Sequence, residues 1–219
     1  MMKDIKNCFK LLKYGYQIKT NIVCAVFFSL LGVAFSLIGH EAFALSVVYF
    51  FLAIIFVVQS MYMAIYSDFV GASPKRRKVE LRYIDILNVI GGIVASAATI
   101  LTAFLTRGLS PEGPSMETNL VIGGWMVIIL YCYMCMSFKM MWVGMFIFIV
   151  SFFSVMNIAG GAFTAACDGM LAGKTAFAVI VFLAEVEMGI VLGHVIRRIL
   201  YRKSMSKWAM GAKLRMEQS

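Results

Sequence analysis

Charge is what this sequence has least of. Only 14% of its 219 residues are Asp, Glu, Lys or Arg, where a soluble domain carries about a quarter. The charges fall in a few short clusters, leaving long stretches that water cannot solvate. That excludes a soluble enzyme, a disordered chain and a disulfide-rich secreted module. Proline is also scarce, and all three prolines lie between apolar runs rather than inside them. Of the two histidines, His40 and His194, neither has the neighbour that a His-x-x-x-His zinc site needs. The five cysteines show no framework spacing. Cys24, Cys132 and Cys135 lie within apolar runs, where cysteine behaves as a small hydrophobe. Cys132-x-x-Cys135 has no further ligands near it and reads as packing.

What remains is apolar: 62% of the residues are hydrophobic, and mean hydropathy is +0.88. A helix needs roughly 20 apolar residues to cross a hydrocarbon core of about 30 Å. Six segments qualify: 21–39, 42–66, 83–106 (interrupted by Asp85 and Asn88), 119–138, 140–162 and 174–200. They are continuous, whereas barrel strands alternate over about ten residues. The expected fold is therefore an all-α integral membrane protein with six transmembrane helices. The first run is too long for a signal peptide, and Leu37–Glu41 lacks a small-x-small pattern, so it is expected to be retained.

Lysine and arginine give the expected orientation. With six spans both termini share a side, and that side holds all the basic residues except Arg107 and Lys174. Both termini are thus expected in the cytoplasm, with the chain in the cell membrane. The net charge of +9 is then topology and contact with anionic lipid, and no nucleic acid is called for.

Residues 1–20 form a segment of their own before the transmembrane domain, 21–203, and a basic cytoplasmic tail, 204–219. On a helical wheel Lys3, Lys6, Lys10 and Lys13 share one face, with Ile5, Cys8, Phe9, Leu11, Leu12 and Tyr16 opposite. This pattern predicts an amphipathic elbow helix lying in the membrane interface. Between the second and third spans lies the long internal loop Ser67–Arg82, with an apolar side at Phe69 and Val70 and a stop or start at Pro74.

This combination resembles the small permease subunits of ABC exporters, most closely the ABC-2-type (type V) class that includes bacterial exporters of phenol-soluble modulins. The resemblance implies a coupling helix at Asp68, Phe69, Val70, Gly71, Ala72, Ser73 and Pro74, seated in a cleft of a separate ATP-binding subunit. It implies partnership with a second permease copy or a paralogue. It also suggests a short re-entrant helix within the Gly/Ala-rich stretch 157–173.

No convincing active site is present, and the chain is not expected to be an enzyme. Gly169–Thr175 resembles a phosphate-binding loop but is one residue short and leads from no strand. No cofactor is expected on this chain, since ATP and Mg would sit on the partner. Glu185 and Glu187 lie near the middle of the last span, where a charge is costly. At i and i+2 they point about 200° apart. One is expected to line a polar cavity, and the other to pair across a helix interface or to stay neutral. As candidate cargo-pathway residues, Glu185 and Glu187 would meet a cationic or amphipathic cargo. Asn88, Ser96, Thr99, Thr102, Gly91, Gly92 and Ala95 mark the third span as closely packed.

The expected function is an ATP-driven exporter permease, working as a dimer on an amphipathic peptide or other hydrophobic cargo. Two alternatives stay open. One is a proton-coupled secondary transporter using Glu185 or Glu187, and the other a non-transporting membrane assembly or immunity protein.

Overall fold

The computed structural model describes residues 2–13, 17–38, 40–65, 74, 76–106, 115–137, 139–159, 162–171 and 173–201. The regular elements in them are helical: α1 (Met2–Lys13), α2 (Ile18–Ile38), α3 (His40–Ile65), α4 (Arg76–Thr106), α5 (Met116–Ser137), α6 (Met141–Ala159), α7 (Ala162–Leu171) and α8 (Thr175–Leu200). Among the described residues, five helices (α2, α3, α4, α5 and α8) are long and apolar enough to cross a membrane. In α6 the described apolar stretch, Met141–Ser154, is shorter. By length and composition this is the build of a multi-pass helical membrane protein.

The surface fits that reading. Val23, Phe27 and Leu30 on α2, Trp142, Phe146 and Phe153 on α6, and Ile180 and Ile199 on α8 are all exposed. Water would penalise such a surface heavily, whereas lipid tails solvate it.

Helix α5 is the axis, touched by α3, α6, α7 and α8, while α2 leans on α3 at the edge. Two side-chain bonds hold that edge. Asn21 Nδ2 donates to Ser60 Oγ at 2.7 Å, and Ser46 Oγ donates to the Gly32 carbonyl at 2.7 Å. Each is worth roughly 0.6–2 kcal/mol in a membrane. At the centre, Phe51 of α3 meets Tyr131 of α5 and Phe182 of α8 edge-on, with centroids 6.2 and 6.4 Å apart, the geometry aromatic quadrupoles favour. The α5–α8 crossing is tight because Gly189 lies beside the Ile128 backbone, where a Cβ would stand 3.2 Å from the Ile128 Cα.

Two boundaries differ from the sequence expectation. The amphipathic helix ends at Lys13, and Lys19 already belongs to α2. Between them Gln17 has φ of 54°, a left-handed conformation at which a helix cannot continue. The second difference is larger. Arg76–Arg82 reads as loop because it is charged, yet helix α4 begins at Arg76 and passes through a π-helical turn, Val79–Tyr83, before Ile84. Arg77, Lys78 and Arg82 stay exposed, but charge does not keep Glu80 in solvent, because it is buried against basic partners.

Candidate functional site

At one end of the bundle, among the described residues, three carboxylates each hold two bases. The first lies between α4 and α8. Asp85 accepts a hydrogen bond from Arg197 and contacts His194 Nδ1 at 2.7 Å. A carboxylate oxygen accepts, so His194 Nδ1 is the donor in this contact. Arg197 is 4% exposed, and its second amino group lies 3.7 Å from Cys135 Sγ on α5. Tyr62 of α3 donates to the same sulfur at 4.0 Å. Four helices thus converge on one guanidinium, in the last turn of α8, where the helix dipole favours a cation.

The second carboxylate is Glu80, in the π turn. Lys139, in the turn between α5 and α6, reaches its Oε1 at 3.1 Å, and Arg76 lies 3.5 Å from its Oε2. Both Glu80 and Lys139 side chains are only 5% exposed. The third is Asp4 on α1, bound by Lys78 at 2.6 Å and Arg82 at 2.9 Å. The hydrogen bond from Lys78 is the main reason the Asp4 carboxyl lies below its usual value; burial pushes the other way, and the Arg82 and Lys78 charges add to the lowering. One helical turn on, Cys8 is fully buried and its thiol donates to the Tyr83 carbonyl at 3.4 Å. Burial pushes that thiol up to about 11. So α1 docks through Asp4, Cys8 and Leu12, leaving Lys3, Lys6, Lys10 and Lys13 exposed.

The π turn is what links the three. Val79, Glu80 and Tyr83 in it are buried, and its flanks carry Lys78 and Asp85. Such turns recur at functional positions in helices. The chain segment leading into it is the loop singled out in the sequence. Of its candidate coupling residues, Pro74 forms an exposed turn just ahead of α4. Asp68, Phe69, Val70, Gly71, Ala72 and Ser73 lie outside the described residues.

The two intramembrane glutamates part company. Glu185 is buried at 7% exposure, its carboxylate against Gly124 of α5, with no partner for Oε2 among the described residues. Glu187 is exposed in a groove between α4 and α8. A charge at that depth facing lipid costs about 2.5–3.5 kcal/mol or more. Asn88, Ser96 and Thr99 of α4 are buried with side-chain atoms that find no partner among the described residues.

At the other end, Asp168 of α7 accepts from the Ser115 backbone N–H at 2.9 Å, and Thr175 donates to Glu117 at 2.6 Å. Burial pushes the Asp168 carboxyl up, but hydrogen bonds from Thr118 and Ser115 outweigh it and leave the carboxyl below its usual value. The phosphate-loop-like string is the end of α7 and its turn into α8, where Gly173 has φ of +77°. The proposed re-entrant stretch contains α7, a ten-residue helix packed on α5, α6 and α8. Among the described residues no group of three or more His, Cys, Asp or Glu is placed to hold a metal ion.

Sequence reasoning passed over the charge network. Asp85 registers there as an interruption of an apolar run, and Arg197 and Lys139 as topology. One signal was available: His194 and Arg197, at i and i+3, share a helix face about as far from the end of the last span as Asp85 is from the start of the third.

No protein-family model matches the chain, and neither a curated protein nor a solved structure does.

Proposed function

We propose that this chain is the permease subunit of an ATP-driven exporter of the ABC-2 type. It works as a dimer, or with a paralogue, and ATP is hydrolysed on a separate subunit docked at the cytoplasmic side. Both termini and the 66–75 loop face that side in this reading. The observation that carries it is the charge network around the π turn. A push on the loop would pass directly into α4, and from there to α1 through Asp4, to the α5–α6 turn through Glu80, and to α8 through Asp85. A bundle that must move as a unit when a neighbour pulls on one loop needs such ties, and a pair with a buried member, as at Glu80 and Arg197, is costly to break.

The test replaces Phe69 and its neighbours by alanine or reversed charge and measures ATPase association and export of amphipathic peptides from cells. Loss of both supports the reading; a chain that never captures an ATPase, or exports unchanged, sinks it. A second reading, a proton-coupled carrier, is favoured by the unpartnered Glu185 oxygen. Transport driven by a pH gradient without ATP, and abolished by Glu185→Gln, would establish it instead.

A further inference from the structure

The groove between α4 and α8 has a volume of about 540 Å³ and is lined by Val89, Gly92, Ile93, Leu183 and Val191, with Ser96 and Glu187 among them. It is open, and Ile93, Val191 and Leu183 are exposed along it. Glu187 stands about 18 Å along α8 from Thr175 and about 20 Å from Leu200 at 1.5 Å per residue. That is the middle of a span, remote from either aqueous face. Ser96 is only 4% exposed, and its hydroxyl has no partner among the described residues. An acid and an unused hydroxyl thus share an otherwise apolar cleft.

The counter-charge has to come from elsewhere. Every Lys and Arg of this sequence lies at or beyond the ends of the apolar runs. A second copy laid against the groove would bring no cation to this depth, and paired about a two-fold axis it would set Glu187 beside Glu187. Like charges in a low dielectric repel strongly. A non-self occupant with one positive group and an apolar body fits both linings: ammonium on Glu187, hydrogen bond to Ser96, tail along Ile93, Leu183 and Val191. We infer that the α4–α8 groove binds a primary-amine amphiphile entering sideways from the lipid. That this ligand is cargo rests on the permease reading; that it binds does not.

The experiment uses the full chain, purified without any ATPase, in nanodiscs of zwitterionic lipid, with radiolabelled dodecylammonium as probe. Saturable binding is expected, displaced by unlabelled decylammonium and not by dodecanoate, whose tail is matched and whose charge is reversed. Glu187→Gln should weaken it at least tenfold and Ser96→Ala several-fold, since hydrogen bonds to charged groups are among the stronger ones. Phe146→Ala, on the exposed face of α6, should leave it unchanged. Val191→Trp, which keeps the carboxylate and fills the cleft, should abolish binding even if Glu187→Gln fails to fold. Equal affinity for the anion, indifference to Glu187→Gln and Val191→Trp, or cysteine cross-linking of Ile93 to a second copy that excludes the amine would each overturn the site. Export that needs ATP without amine binding would sink this inference and leave the permease reading standing; amine binding by a chain that captures no ATPase would do the reverse.

Discussion

Asp85 receives the guanidinium of Arg197 from 112 positions along the chain, and the imidazole of His194 at 2.7 Å. Helices far apart in sequence are pinned by this one carboxylate. Asp85→Ala strands a buried cation, and removing one partner of a buried pair costs about 3–5 kcal/mol. Arg197→Met in the same chain should restore a good part of that loss, because the charge needing compensation is gone. Thermal unfolding in detergent checks both. If the double variant is no more stable than Asp85→Ala, the pair is not what holds α4 to α8.

The docking of α1 has a pH dependence set by Asp4. Its carboxyl is held low, chiefly by the Lys78 hydrogen bond. A depressed acid contributes stability that is complete above its unfolded value of about 3.9 and lost as pH falls through the lower folded value. Docking is therefore expected to be flat from pH 8 to 5 and to fail only below about pH 4. Cys8 reports on it, being fully buried while α1 is seated. With its thiol raised to about 11, Cys8 should resist maleimide at pH 7.5 and react readily in Asp4→Asn, followed by mass spectrometry.

Gly124 and Glu185 fit each other. A methyl group at Gly124 would collide with the Glu185 carboxylate, so Gly124→Ala is expected to cost about 1–3 kcal/mol of stability. Adding Glu185→Ala should relieve the collision, so that the pair of changes costs less than the sum of the single ones. A purely additive result in thermal unfolding would mean that the two do not touch.

At the opposite end, Asp168→Ala removes the acceptor that serves the Ser115 N–H, just ahead of α5. The expected loss is about 0.5–2 kcal/mol, as for an absent helix cap. Because the hydrogen bonds from Thr118 and Ser115 keep this acid low in spite of burial, the contribution persists at neutral pH and fades only as pH falls through its lowered folded value, below about 3.9. Hydrogen exchange in the first turn of α5 measures it.

Much of the bundle could be read in advance because each run had to satisfy its own backbone in a solvent without water. That requirement acts on one segment at a time, so α2, α3, α5 and α8 begin and end within a few residues of the apolar runs. The charged stretch Arg76–Arg82 was misread for the complementary reason. Glu80 is buried against Lys139, 59 residues further on (139 less 80), and the exposed Lys78 and Arg82 are tied to Asp4 near the start of the chain. Local polarity carries no trace of such partners. The division between Glu185 and Glu187 was half visible: a spacing of two residues placed them on different faces, but not which face met α5.

By itself, then, the sequence determined that this chain is a set of long apolar helices with basic connections, since hydropathy along a segment sets what a bilayer accepts. Only the tertiary structure decided which bases neutralise Asp4, Glu80 and Asp85, and which glutamate is sealed in and which opens on a groove. Those outcomes depend on the depth and rotation at which helices meet, and these are set by close packing at Gly124, Gly189 and the Phe51–Tyr131–Phe182 centre. No single segment encodes them.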